Sequence, residues 1–120
     1  MRVHKEIQAV IKKIDTKELA NGKIYLGCFP QDYFIKSLKV TTTQSSNADV
    51  AAKIIDEKGA DVICDIDLVT LNTIKELSVY NFNDELKDLY LVLSKGKPTK
   101  GEAIVYYEMI APSKALVEFA

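Results

Sequence analysis

The chain has 120 residues, of which 48% are hydrophobic and 28% charged, and its formal net charge is −1. Domains commonly run about 100–150 residues, so we expect residues 1–120 to form one domain that needs no disulfide or metal to fold. The balance of 16 basic and 17 acidic residues argues against a nucleic-acid-binding protein. No signal-peptide pattern and no apolar run long enough to span a bilayer is visible, which predicts synthesis in the cytoplasm and no membrane association.

The first 20 residues (1–20) fit two patterns. Apolar residues recur at helical spacing, at Val3, Ile7, Val10, Ile11 and Ile14. Alternate positions from Ile7 to Lys13 fit one face of a strand equally well. We favour a strand or arm here, because the rest of the chain supplies strands to pair with it.

Short alternating segments follow. The turn dipeptide Asn21-Gly22 precedes a predicted strand over 23–29, and Pro30 ends it. A second strand is predicted up to the β-branched residues 41–43. Residues 50–55 fit either a short helix or a strand.

The next segment, 61–68, alternates clearly, which predicts a half-exposed strand. Its core-facing residues are expected to be Val62, Cys64, Ile66 and Leu68, with Asp61, Ile63, Asp65 and Asp67 opposite. Three carboxylates on one face can bind Ca²⁺ or Mg²⁺, but a solvated strand face explains the pattern more simply. We therefore predict no metal site.

The last third of the chain continues the strand pattern. Alternation over 89–93 predicts a strand, and a loop rich in Gly, Pro and Lys follows over 95–101. This loop lacks the order of a phosphate-binding loop, and Pro98 removes a backbone donor that such a loop would use. The longest apolar run, 103–110, predicts a central strand, and 116–119 predicts a last short one.

No catalytic constellation is visible. The single histidine, His4, lies near the terminus, and Cys28 and Cys64 have no zinc-motif spacing. We expect both cysteines to be buried and reduced. Tyrosines can form a surface for a glycan or a partner protein, although ordinary strand composition also explains them. We predict no enzyme activity and no cofactor.

Roughly seven to nine short strands with frequent turns predict an all-β fold, an antiparallel β-sandwich of jelly-roll type that allows one short helix. Several segments of this order resemble small structural proteins of tailed bacteriophages, of the head-decoration or head-fibre type. These segments are Ile24-Tyr25-Leu26-Gly27, Phe29-Pro30, the strand ending in Val40-Thr41-Thr42-Thr43, Asp65-Ile66-Asp67-Leu68, Leu89-Tyr90-Leu91-Val92-Leu93-Ser94, Lys97-Pro98-Thr99-Lys100-Gly101-Glu102-Ala103 and Val105-Tyr106-Tyr107.

The resemblance covers residues 22 to 108. It departs from the phage pattern at 51–55, where a glycine-rich stretch is expected, and it leaves the first 20 residues unmatched. It implies a non-enzymatic virion protein that contacts itself, as a homo-oligomer, and other virion proteins. The alternative is a small module that recognises a glycan or a partner protein.

The strand over 103–110 is apolar on both faces, although only one face of a sandwich strand can point to the core. We therefore predict that the second face needs a cover, from this chain's C-terminal residues or from a neighbour. The candidate interface residues are Ile104, Tyr106, Ile110, Leu116 and Phe119.

Overall fold

The computed structural model describes residues 7–77, 81–82 and 85–111. Nine strands account for most of them, and one 3₁₀ helix spans Thr16–Asn21. The strands are β1 (Ile7–Asp15), β2 (Ile24–Phe29), β3 (Phe34–Gln44), β4 (Ala51–Asp56), β5 (Asp61–Asp67), β6 (Ile74–Leu77), β7 (Asn81–Phe82), β8 (Lys87–Lys95) and β9 (Glu102–Ile110).

The strands form two antiparallel sheets. Sheet A has the order β1-β9-β3-β6, with β7 also paired to β3, and sheet B has the order β2-β8-β4-β5. The pairing is nested: β1 pairs with β9, β2 with β8, β3 with β6 and β4 with β5. The predicted all-β antiparallel sandwich is confirmed.

The prediction for the N-terminal segment can be compared with these strands from Ile7 onward. The N-terminal segment is a strand over Ile7–Asp15, and the short helix that the sequence allowed is the 3₁₀ turn that follows it. Asp15 begins this turn because its carboxylate accepts a hydrogen bond from the Lys17 amide at 3.3 Å. Residues 1–6 and the predicted strand over 116–119 lie outside the described residues.

The core lies between the two sheets. Its fully buried side chains alternate along the inner faces: Leu38, Val40 and Val105 from sheet A, and Ile54, Leu89 and Leu91 from sheet B. The rings of Phe29 and Tyr107 meet edge to face across the gap, with centroids 5.4 Å apart. Each such burial stabilises the fold by about 1.5–3 kcal/mol, so this layer positions every outward-facing side chain.

Residues 50–55, which fitted either a helix or a strand, begin with buried Val50 and continue as β4. This strand pairs with β5 on one side and β8 on the other. Both neighbours form backbone hydrogen bonds with β4. The sequence of residues 50–55 alone does not contain this pairing.

The predicted faces of β5 are right at Ile66 and Leu68, which are buried, and at the three exposed aspartates. They are wrong at Ile63, which is buried, and at Cys64, which is exposed. The cause is a β-bulge: two β5 residues, Cys64 and Asp65, lie opposite a single β4 residue, Lys53. Asp65 adopts a φ of 57°, in the left-handed region, and this extra residue shifts the alternation.

The same bulge corrects the expectation for the cysteines. Both are free thiols, but Cys64 is exposed and Cys28 is only half-buried. The prediction of two buried thiols is therefore wrong: the bulge exposes Cys64, and the general tendency of free cysteines to be buried does not hold fully at Cys28.

Candidate interaction surface

The outer face of sheet A is built on β9. Along this strand Ala103, Val105, Tyr107 and Met109 are buried in the core. The alternate residues point away from sheet B and are half-buried: Ile104, Tyr106, Glu108 and Ile110. As predicted, β9 is a central strand with apolar side chains on both faces. Its inner side chains fill the core, and its outer side chains do not.

Neighbouring strands extend this outer face. Tyr106 lies between Ile11 of β1 and Lys39 of β3, and Ile104 lies beside Thr41, which pairs with Ile74 of β6. Ile11 is 70% exposed and Ile74 is 61% exposed. These side chains form what we call the outer apolar band, which consists of Ile11, Ile74, Ile104, Tyr106 and Ile110.

Three ion pairs lie among the residues of the band. The distance from the lysine nitrogen to a carboxylate oxygen is 2.7 Å for Lys13–Glu102, 3.9 Å for Lys39–Glu76 and 4.0 Å for Lys36–Glu108. Exposed pairs of this kind contribute at most about 1 kcal/mol each to stability. Their effect is that paired charges of balanced sign lie between the apolar side chains, as Glu108 does between Tyr106 and Ile110 on β9. Protein–protein interfaces combine apolar and polar side chains in this way.

Tyr106 is the largest side chain of the band. Partial desolvation, together with the neighbouring Glu108 carboxylate, raises the pKa of its hydroxyl. The group is thus neutral over the physiological range and presents a large ring with a polar tip, which suits a contact with a second protein.

The structure brings together three of the five predicted interface residues. Ile104, Tyr106 and Ile110 share one face of β9, whereas Leu116 and Phe119 lie outside the described residues. The sequence prediction missed Ile11 and Ile74. A signal existed for Ile11, which falls on one alternate set of the N-terminal strand, but none existed for Ile74.

Sheet B presents a different outer face. The rings of Tyr25 and Tyr90 lie 5.5 Å apart at 60°, and the Lys23 ammonium is 4.1 Å from the centre of the Tyr90 ring. The Tyr25 hydroxyl donates to the Asp88 carboxylate at 2.9 Å. That hydrogen bond, followed by slight desolvation, raises the pKa of Tyr25 to about 12.

The tyrosines do not form one surface. Tyr107 is in the core and donates to the Leu26 carbonyl at 3.3 Å, Tyr106 lies on sheet A, and Tyr80 is outside the described residues. Among the described residues, the Tyr25–Tyr90 pair on sheet B is the aromatic contact that resembles the surface of a glycan-binding module.

The three aspartates considered as metal ligands are separated by their contacts. Asp61 is 3.2 Å from the Lys53 ammonium. Asp67 accepts from the Val69 and Thr70 amides at 2.7 and 3.1 Å. Hydrogen bonds from Thr70 and then from Val69 lower the pKa of the Asp67 carboxyl. Within the described residues, no three metal-ligating side chains are grouped.

The loop over 95–101 closes one end of the sandwich. The Thr99 amide donates to the Asn47 side chain at 2.7 Å, and Pro98 is buried. Gly101 has a φ of 120° and lies against Ser46, where a Cβ would be 3.0 Å from the Ser46 side chain. The glycines thus serve close packing of loops.

Among the described residues, no helix has the length and apolar character needed to cross a membrane.

Comparison with known proteins adds one result about the fold. The sequence matches no family model, and no curated protein matches it. Among solved structures, a chain of the "Cyanophage Pam1 capsid asymmetric unit" is similar, with a TM-score of 0.61 and 7% sequence identity. The match covers 92% of this chain and 86% of that chain, so the two have similar lengths and share the fold over almost all of it.

Proposed function

We propose that the chain is a structural component of a bacteriophage virion, a capsid-decoration, head-fibre or related assembly protein that acts through protein–protein contacts. The observation that carries the proposal is the fold shared with a chain of a cyanophage capsid over 92% of this sequence. The partners are other virion proteins and further copies of the same chain. The protein is synthesised in the host cytoplasm, is located in the virion and performs no catalysis.

The strand order supports this proposal. Nested pairing of first with last strands, alternating between two four-stranded paths, supports a jelly-roll arrangement. Jelly rolls occur in viral capsid proteins and also in lectins, so the fold favours a capsid role without excluding a sugar-binding one.

The outer apolar band is the contact surface that we assign to this role. Ile104, Tyr106 and Ile110 provide its centre, and we propose that Leu116 and Phe119 contribute to the same contact. Its apolar side chains lose water favourably against a complementary surface, and the paired charges between them can fix the orientation of the partner.

Virion association tests the proposal directly. Particles of the phage that encodes the chain are purified by density gradient and probed with an antibody to the protein. We expect the protein to sediment with intact particles. Its absence from the particles, with the protein present in the lysate, would contradict a virion role.

Substitutions then locate the contact. Tyr106→Asp and Phe119→Asp should reduce incorporation into particles by at least about tenfold, because each places a charge in the apolar contact. Val92→Asp is the matched control, since Val92 is half-buried on the outer face of sheet B. Equal loss with all three variants would show that the band is not the contact.

The Tyr25–Tyr90 pair favours a second candidate, a module that binds a glycan or a partner protein. In that case Tyr90→Ala should abolish binding on a glycan array while Tyr106→Ala leaves it unchanged. Binding by neither the wild type nor the variants would remove the glycan form of this candidate.

A further inference from the structure

The two sheets have four edge strands, and three of them carry features that discourage pairing with another chain. A free edge exposes unpaired backbone donors and acceptors, so proteins protect such edges with bulges, charges or short length. The edge strand β5 has the bulge at Asp65 and three exposed carboxylates, Asp61, Asp65 and Asp67. On the far edge of sheet A, β6 and β7 both pair with β3, and β6 carries the exposed charges of Lys75 and Glu76.

The edge of β2 is also modified. Its register shifts between Tyr25 and Gly27, and the Lys12 ammonium of β1 donates to the Tyr25 carbonyl at 2.5 Å. An added strand on this edge would have to displace that lysine and follow an interrupted ladder, so β2 is a poor template for strand addition.

The edge of β1 has no bulge, and its exposed lysine, Lys13, is in an ion pair with its own sheet. Nine consecutive residues, Ile7–Asp15, pair with β9 without a register shift. Its lysine side chains interact with other strands: Lys12 donates a hydrogen bond to β2, and the Lys13 ammonium lies 2.7 Å from the Glu102 carboxylate of β9. In the described part of the chain, no strand pairs with its outer side. Ile11, at its midpoint, is 70% exposed.

We propose that β1 is the site at which a second copy of this chain docks, by antiparallel strand addition, so that sheet A continues across a two-fold axis. The axis passes beside Ile11, which then faces Ile11 of the second copy. This is the register that pairs all nine described residues of the strand, since Ile11 is the central one among them. Backbone hydrogen bonds supply the attachment, and the side chains set the register.

The charges of β1 fit this self-pairing. With Ile11 against Ile11, Lys13 faces Ala9 and Lys12 faces Val10, so no like charges are opposed. Moving the axis to Lys12 or Lys13 places two lysines opposite each other, which is unfavourable. The register that buries Ile11 is therefore one that also separates the lysines.

The proposal deepens the self-association included in the proposed function. It is tested on purified full-length protein, where incorporation into a virion plays no part. A failure here would leave contacts with other virion proteins standing, and absence from virions would leave this pairing standing.

The test introduces opposite charges at position 11 and measures dimerisation by analytical ultracentrifugation. We expect the wild type to dimerise, and Ile11→Lys and Ile11→Glu each to weaken the dimer by at least about tenfold, because like charges would face each other. Mixing the two variants should restore a heterodimer, because the lysine of one copy would then face the glutamate of the other.

Ile74→Lys is the matched control, because Ile74 is a similarly exposed isoleucine on the same face but on the opposite edge. It should leave the dimer intact. A wild type that stays monomeric at all concentrations, a mixture that does not recover, or a dimer lost equally in Ile74→Lys would overturn the proposal. Because Ile11 is exposed, its variants should fold. If one does not, the same pair is tested by disulfide cross-linking of Ile11→Cys in a Cys64→Ser background. Absence of a cross-linked dimer would overturn the proposal.

Discussion

Sheet A and sheet B use similar strand compositions but differ in regularity. In sheet A, β1 pairs with β9 over nine consecutive residues without interruption. Every ladder of sheet B contains at least one register shift. The described strand residues with positive φ, Gly27 and Asp65, both belong to sheet B. Sheet A also has register shifts, but they lie in its interior, between β3 and β9. Its edge strand β1 is regular and its outer face apolar, whereas the shifts in sheet B reorient side chains and interrupt the edge strands β2 and β5.

The contact between Gly27 and Tyr107 shows why one of these shifts exists. Gly27 lies at the irregularity of β2 with a φ of 125°, and the Tyr107 side chain of β9 fills the space beside it. A continuous β2 with a side chain at this position would push the Tyr107 ring out of the core. The irregularity of sheet B therefore accommodates a large residue of sheet A.

The largest effect that we predict comes from filling this space. In Gly27→Ala the new Cβ would lie 2.2 Å from the Tyr107 hydroxyl oxygen, and alanine disfavours the backbone conformation. Overpacking and strain together should lower the free energy of unfolding by about 2–5 kcal/mol, measured by urea denaturation.

Gly59→Ala separates the two causes. Gly59 also has a positive φ, of 86°, but no atom lies within 4 Å of the added Cβ. Only the backbone term remains, and we expect a loss of about 1 kcal/mol. Tyr107→Phe should in addition make Gly27→Ala less costly, because it removes the clashing oxygen. Equal losses at both glycines would show that the close contact with Tyr107 is unimportant.

A smaller effect is expected where a buried hydroxyl connects sheet A to the end of β5. Thr42 donates to the Asp67 carbonyl at 2.8 Å, so Thr42→Val should cost about 1 kcal/mol in thermal unfolding. Thr16 is equally buried, but its hydroxyl oxygen has no hydrogen-bond partner. Thr16→Val should therefore be neutral or slightly stabilising, and a larger loss for Thr16→Val than for Thr42→Val would contradict this assignment.

The smallest effect concerns ionisation on the outer face of sheet B. The Tyr25 pKa is raised to about 12 chiefly by its hydrogen bond to Asp88. Because the folded pKa lies above the usual value of 10.0, the contribution to stability is present below pH 10 and is lost as the pH rises towards 12. In Asp88→Asn the pKa should fall towards 10.0, as followed by NMR of labelled tyrosine rings. An unchanged pKa would show that Asp88 is not its cause.

The difference between the sheets also explains which buried and exposed positions could be predicted from the sequence. The alternation of β8 and β9 correctly places Leu89, Leu91 and Val105 in the core, because neither strand shifts along these residues. The same reasoning fails at Cys64, where one extra residue inverts the faces. Ile104, Tyr106 and Ile110 were therefore predictable as one face, whereas Ile74 was not, since it joins them only through pairing with β3.

The sequence by itself determined that the chain is a sandwich of short antiparallel strands and that β9 is apolar on both faces, because period-two alternation and turn residues are local properties. Tertiary structure decided that 51–56 is a strand, that β5 bulges and that β1 forms an open edge. These features depend on which backbone lies alongside and on how much space a facing residue such as Tyr107 occupies. Both are set by residues far away along the chain, which is why no local pattern contains them.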